Sequence, residues 1–325
     1  MVSAARPALA LAVVAALPLL TWAPPAPAAG REPGASTLSV WQAGTWHTWW
    51  RSDRAPARWA AADPWVTHAL RWQRLAEGLE WASLRLACGG PVWRARLIVA
   101  RLDPRLLELS LELDLAGENG RPAWTIDRAP GDALLAVNAG QFASTMPWGW
   151  LVIDRAQRLR PGYGPLSSAI GIDAGGHVRW SHGDSLARWS GVVTGFQSYP
   201  TLLAGDGVVP RALQGLVPGV SLTHRDARLA LGQARDGSLL VVLTRFDAMG
   251  ELAGRLPLGP TSPEMAAIMG ALGACDAVML DGGLSAQLLL RPRARAAPLR
   301  WPGMREVPLA LIARARPPAG PGASR

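Results

Sequence analysis

The feature that most constrains this chain is a two-residue alternation of apolar and polar side chains, repeated in short runs and broken by turn residues. Leu79-Glu80-Trp81-Ala82-Ser83-Leu84-Arg85-Leu86 alternates, then Gly89-Gly90-Pro91 punctuates it. Trp93 to Leu102 alternates again up to Asp103-Pro104, and Leu106 to Leu113 makes a third run. Side chains of a strand point to opposite faces in turn, so such a pattern predicts half-buried strands, here an antiparallel meander with one wet face. Further short strands are expected at Ala133–Val137, Trp150–Ile153, Ser168–Ile172, Val178–Trp180, Val192–Phe196, Ala227–Gln233, Ser238–Thr244, Ala277–Leu280 and Val307–Ala313. Asp173-Ala174-Gly175-Gly176 and Arg235-Asp236-Gly237 read as hairpin turns. Helical signals are few. Asp63-Pro64 opens one, with Trp65, Leu70 and Leu75 following at roughly helical spacing. Thr261 or Ser262 caps a second, with Pro263 and Glu264 in its first turn and a stop at Gly273. The expected class is α+β, strand-rich, with mixed or antiparallel sheets, few helices and one main domain.

The ends read differently. Arg6 precedes an apolar run from about Ala8 to Leu20, and Ala26-Pro27-Ala28 fits a small-x-small cleavage site. This layout predicts a signal peptide over 1–29 and a mature protein that is periplasmic or secreted. The run falls short of the ~20 residues that span a bilayer, so no transmembrane segment is expected after cleavage. Residues 30–75 form an extension carrying Trp41, Trp46, Trp49, Trp50, Trp59, Trp65 and Trp72, and residues 315–325 read as a disordered Pro/Gly tail. All 33 basic residues are arginine and the formal charge is +9. The rise of Arg together with Ala, Gly and Pro is the signature of GC-rich coding, and with export it argues against nucleic acid as a partner. Two cysteines, Cys88 and Cys275, exclude a disulfide-dense scaffold and leave a single bridge open. The five histidines lack metal-ligand spacing, and there is no P-loop, GxGxxG or GxSxG.

Four segments carry polar groups where strands end. Asp281-Gly282-Gly283-Leu284-Ser285 follows a buried strand; an acidic residue there, with two glycines admitting close backbone approach, suits an anion or a sugar as well as a plain strand-exit turn. Asn138-Ala139-Gly140-Gln141-Phe142 also follows an apolar strand, where an amide can hold a hydroxyl or serve a left-handed turn. Arg228 lies in a strand-like run and can fork onto phosphate or carboxylate. Gly195 to Leu203 holds Gln197, Ser198, Tyr199 and Thr201 around Pro200.

Taken in order, these segments resemble the phosphodiester glycosidase domain family (N-acetylglucosamine-1-phosphodiester α-N-acetylglucosaminidase-like, with bacterial exopolysaccharide-related members). The matching stretches are Asn138–Phe142, Tyr199–Leu203, Arg228–Gly232, Gly259–Ala266 and Leu280–Ser285, within a domain expected over 76–314. Gln141 stands in place of an aromatic, Ala139 and Leu284 in place of glycines, and Leu229 in place of threonine; Asp247 is only near a family Asp-Gly. The resemblance implies an exported hydrolase that cleaves the C1–O bond of a sugar 1-phosphodiester in an envelope or extracellular glycan. A non-catalytic carbohydrate-binding envelope protein on the same fold is the alternative.

On this resemblance Asp281 is the leading carboxylate, as nucleophile or base, and Arg228 binds phosphate. Glu264 is a second carboxylate candidate whose place in a first helical turn also suits capping. Asn138, Gly140, Gln197, Tyr199, Thr261, Gly282, Gly283 and Ser285 are the substrate-binding candidates. The partner is a carbohydrate or phosphoglycan. No cofactor is required, and Ca²⁺ on oxygen ligands is compatible with the Asp and Asn present without any spacing demanding it.

Overall fold

The computed structural model describes residues 35–89, 94–164, 166–182, 189–217, 221–247, 258–293 and 296–316. The expected signal peptide, and the tail from residue 317, lie outside the described residues. In chain order the strands are β1 (Thr37–Gln42), β2 (Thr45–Arg51), β3 (Gln73–Ala76), β4 (Leu79–Cys88), β5 (Arg94–Leu102), β6 (Leu107–Leu113), β7 (Leu135–Asn138), β8 (Phe142–Ala143), β9 (Met146–Pro147), β10 (Leu151–Ile153) and β11 (Ala156–Leu159). They continue with β12 (Ser168–Asp173), β13 (Val178–His182), β14 (Val192–Ser198), β15 (Thr201–Leu203), β16 (Leu229–Ala234), β17 (Leu239–Phe246), β18 (Ala274–Leu280), β19 (Leu288–Leu290), β20 (Leu299–Trp301) and β21 (Leu309–Ala315). Two α-helices, Pro64–Ala69 and Ser262–Ala271, and a few short 3-10 turns complete the regular structure among the described residues.

A nine-stranded sheet runs β15-β18-β16-β17-β5-β4-β1-β2, with β3 also on β4. A second sheet runs β11-β10-β14-β12-β13 and a third β20-β19-β7-β21-β6. Every pairing that registers these sheets is antiparallel, for example β4 on β5 and β21 between β6 and β7. The strand-rich α+β class is therefore what the chain adopts.

Three details differ from the pattern read along the sequence. The third alternating run, β6, leaves the first two and pairs with β21 in another sheet. Alternation identifies a strand but not its neighbour, and Asp103-Pro104 turns the chain between sheets rather than into a hairpin. The first helix ends at Ala69, and Leu75 belongs to β3. The C-terminal strand includes Ala315, and Arg316 donates to the carbonyls of Pro104, Leu107 and Ala174, so the ordered fold reaches past 314.

The core follows from the alternation. In β17, Leu239, Val241 and Leu243 face one cluster, between the nine-stranded sheet and the two five-stranded sheets, while Leu240 and Val242 face another. A strand buried on both faces reads as an unbroken apolar run, which is why Leu239–Leu243 lacks polar residues. The second cluster takes in helix Ser262–Ala271, which is buried almost all round. Such a helix needs no polar face. Its ends are fixed locally: Thr261 accepts from the Glu264 N–H, while the Glu264 carboxylate accepts from the Thr261 N–H.

The tryptophan-rich stretch is part of this same body. From Ala35 onward the chain forms one compact unit. Strand β1 pairs with β4, so the β1–β2 hairpin extends the large sheet. Trp50 is buried there, and Trp49 and Trp59 pack against the second cluster. The Trp59 ring lies directly over Gly270, where a Cβ would overlap it. Cys88 and Cys275 are both free thiols.

Candidate active site

Strand β18 ends at Leu280, and Asp281 follows. The Asp281 N–H donates to the Gly140 carbonyl at 2.8 Å, which ties the loop after β18 to the loop after β7. Asn138 completes the tie. Its amide nitrogen donates to the Asp281 carbonyl at 2.8 Å and its amide oxygen accepts from the Gln287 N–H at 3.0 Å. Asn138 is buried, so its amide acts on the main chain of the site rather than facing solvent.

The Asp281 carboxylate is one-fifth exposed and pairs with Arg305 at 3.0 Å. Arg305 also donates through Nε to the Ser285 hydroxyl at 2.5 Å, and its guanidinium lies 4.7 Å over the Phe142 ring. A cation over an aromatic face is held by the ring quadrupole. Arg305 thus joins two of the predicted segments, holding Asp281 and the buried Ser285 of one against the Asn138–Phe142 loop of the other.

The turn Gly282-Gly283 is shaped by crowding. A Cβ on Gly282 would sit 2.5 Å from the Ala227 carbonyl oxygen. Gly283 has φ +55°, and a Cβ there would sit 2.9 Å from a carboxylate oxygen of Asp226. The double glycine therefore lets a second acid, Asp226, close on the turn that follows Asp281. Burial raises the Asp226 carboxyl above the ordinary carboxylate range; Arg228 and the Ala227 N–H offset this only in part. Exposed His224 lies 3.6 Å from the same carboxyl.

Arg228 sits beneath this acid. Its Nε donates to the Pro260 carbonyl at 2.9 Å and a terminal nitrogen to the His224 carbonyl at 2.6 Å. Burial lowers its pKa, against the attraction of Asp226 and Glu264. It ties the irregular segment that carries Asp226 to Pro260, and its positive charge acts on the Asp226 carboxyl. Glu264 is fully buried. Arg225 grips both its oxygens at 2.8 Å, and the Ser36 hydroxyl donates to it. Thr261, its capping partner, is also buried. Neither side chain opens onto the Asp281 turn.

Gln197 is buried as well. Its oxygen accepts from the N–H groups of Trp150 and Gly162, and its nitrogen donates to the Gly162 carbonyl at 3.0 Å. It is a brace between two loops. Tyr199 remains accessible, 41% exposed, with its ring 4.7 Å from Trp148 in an edge arrangement. The Gln141 amide donates to the Tyr199 carbonyl at 3.0 Å, bringing this aromatic pair to the Asn138–Phe142 loop. Gly140 has φ +65° and turns that loop.

The structure thus brings Asp281, Gly282, Gly283, Ser285, Gly140 and Tyr199 to one region and places Arg228 immediately behind it. Sequence reasoning passed over Arg305 and Asp226. Arg305 lies in an irregular segment with no pattern around it. Asp226 stands two residues before Arg228, and that closeness to a flagged arginine is the signal that could have found it. Among the described residues no group of three or more His, Cys, Asp or Glu side chains could hold a metal ion.

The family model for phosphodiester glycosidase matches residues 131–314. The chain belongs to the phosphodiester glycosidase family. The matched span contains every segment of this site, and it starts later than residue 76. Among solved structures, the zebrafish N-acetylglucosamine-1-phosphodiester α-N-acetylglucosaminidase catalytic domain, auto-inhibited by its pro-peptide, is similar with a TM-score of 0.56 at 17% identity. That match covers 81% of this chain and 94% of the other. A protein from Synechocystis matches with a TM-score of 0.47 at 16% identity, over 87% of this chain and 68% of that one. No curated protein sequence matches significantly. The phosphodiester glycosidase fold is a hydrolase-type fold, and the first of these likenesses extends it over strands that the family model leaves out.

Proposed function

We propose that this protein is an exported hydrolase that cleaves the C1–O bond of a sugar 1-phosphodiester in an envelope or extracellular glycan. The observation that carries the reading is the grouping of Asp281, Arg305 and Asp226 around the Gly282-Gly283 turn. Breaking a glycosidic bond through an oxocarbenium-like transition state calls for two carboxyl groups with different roles. Asp281, ion-paired and partly open, serves as nucleophile or as base to water. Asp226, which keeps its proton to higher pH, donates to or hydrogen-bonds the departing phosphate oxygen. A phosphodiester is already a good leaving group, so this proton need travel only part of the way. Arg305, with half its side chain exposed, balances the charge that develops on the phosphate. Arg228, from its buried place, adds to the same field. Tyr199 and Trp148 offer apolar surface to a sugar ring.

The test is release of free sugar from a sugar 1-phosphodiester by the purified chain. Asp281→Asn is expected to abolish turnover while the melting temperature holds. Full turnover by that variant would exclude the assignment. The anomer first released separates the two roles of Asp281, since retention requires a nucleophile and inversion a base.

A further inference from the structure

The five-stranded sheet β11-β10-β14-β12-β13 has two faces, and the candidate active site uses neither of them fully. Leu151, Ile170, Ile172 and Phe196 point into the main core. On the opposite face Trp150, Val152, Ala169 and Val192 form a small cluster, with Trp189 packed on it. This face is not flat. Over it lies a cleft of ≈ 710 Å³, in the size range of small-ligand sites, lined in part by Trp150, Trp189, Tyr163, Arg155 and Arg160.

The floor is built for the indoles. A Cβ on Gly195 would lie 2.5 Å from the Trp150 ring, and one on Gly171 would lie 2.7 Å from the Trp189 ring. Neither glycine has a positive φ, so backbone shape does not call for them; room for two rings against the sheet does. The rings meet edge to face, 5.6 Å apart at 85°. Tyr163 stands at the rim, 87% exposed. Arg155 and Arg160 are exposed at the rim, and among the described residues neither is paired with an acidic side chain. Gln197 connects the cleft to the candidate active site, since it holds Trp150 and Gly162, and Gly162 lies against the Trp148 ring that faces Tyr199.

We infer that this cleft is a second, non-catalytic site that holds an anionic oligosaccharide. Aromatic rings take the apolar face of a sugar, and forked guanidinium groups take its carboxylate or phosphate. Neutral glycans would leave the arginines without partners, and a free anion would leave the Tyr163 ring and the open part of Trp189 uncovered, Trp150 being the buried support beneath Trp189. The inference does not depend on the hydrolytic reading, because it concerns binding by residues that reading does not use.

The experiment uses the full mature chain carrying Asp281→Asn, so that no probe is consumed. Binding of hexagalacturonate, its fully methyl-esterified form, a phosphorylated mannohexaose and inorganic phosphate is followed by calorimetry. Saturable binding of at least one charged hexaose is expected, about tenfold or more tighter than the uncharged ester. Arg155→Ala with Arg160→Ala should remove that preference at unchanged melting temperature. Trp189→Ala, and separately Tyr163→Ala as the variant that leaves the floor intact, should weaken both forms. No binding by either charged hexaose would overturn the inference. So would affinity equal to that of phosphate alone, or binding that both arginine substitutions leave unchanged.

Discussion

Arg305 shows how much one side chain organises. It touches Asp281, Ser285 and the Phe142 ring at once. Arg305→Met keeps much of the bulk over Phe142 but removes the charge. In the proposed reaction it should lower kcat/KM by about a hundredfold, the usual scale for losing one charge-stabilising group, with a smaller effect on the melting temperature. Steady-state kinetics beside a melting curve measures both. Asp226 gives a pH signature. Its native pKa is raised above an unfolded value near ~3.9. The native state therefore holds more protons than the unfolded chain between the two values. The stability it contributes is full below ~3.9 and is lost as pH rises through the native pKa. Asp226→Asn should flatten that part of a stability–pH profile. If Asp226 is the proton donor, the same substitution removes the basic limb of kcat/KM against pH. Asp276 behaves in the opposite sense: burial pushes its carboxyl up, but hydrogen bonds from His182 and the Gly205 N–H outweigh this and lower it. Its contribution is present above the unfolded pKa and is lost as pH falls through the native one.

At the scale of the element, helix Ser262–Ala271 depends on one buried ion pair. Glu264 has no exposed side-chain surface and meets Arg225, Ser36 and the Thr261 N–H. Removing it takes the carboxylate from a guanidinium that is only one-fifth exposed and leaves the buried Thr261 N–H without its acceptor. Glu264→Ala should cost about 3 kcal/mol or more, read by chemical denaturation. The conserved-charge swap Glu264→Asp should recover only part of this, because the shorter arm cannot reach every partner. This helix was legible in the sequence because caps are local: Thr261, Pro263 and Glu264 announce it within four residues. The strands were legible for the same reason, each alternation being self-contained. Their partners were not. Nothing in Leu107–Leu113 names β21 as its neighbour some two hundred residues later. The short strands β8, β9, β15 and β20, of two or three residues each, carry too few residues to show any period. In the site, Asp281 and its glycines announced themselves by chemistry at a strand end. Gln197 and Asn138 read as polar groups for a ligand because a sequence does not tell an exposed amide from one that braces the main chain.

Over the whole molecule, the N-terminal tryptophans are structural as well as superficial. Strand β1 covers the edge of β4, and Trp50 fills the second core cluster. Deleting residues up to 51 would uncover the Leu86–Cys88 end of β4, while β3 still covers its other end. Exposed edges template further pairing, so the truncated chain should associate or precipitate, a result that sedimentation of equal concentrations would reveal. The other terminus has a different consequence. β21 is the last strand among the described residues, yet it lies inside its sheet, between β6 and β7. Leu309, Leu311 and Ala313 belong to the main core, and β6 reaches β7 only through them. Synthesis delivers this strand after every other described one. Until it arrives, β6 and β7 have no common partner and the central cluster stays open to water, so the nascent protein cannot finish folding from its front end. Closure of this sheet therefore waits for Leu309–Ala315, some two hundred residues after β6, and the early strands must stay unjoined over that whole stretch of synthesis.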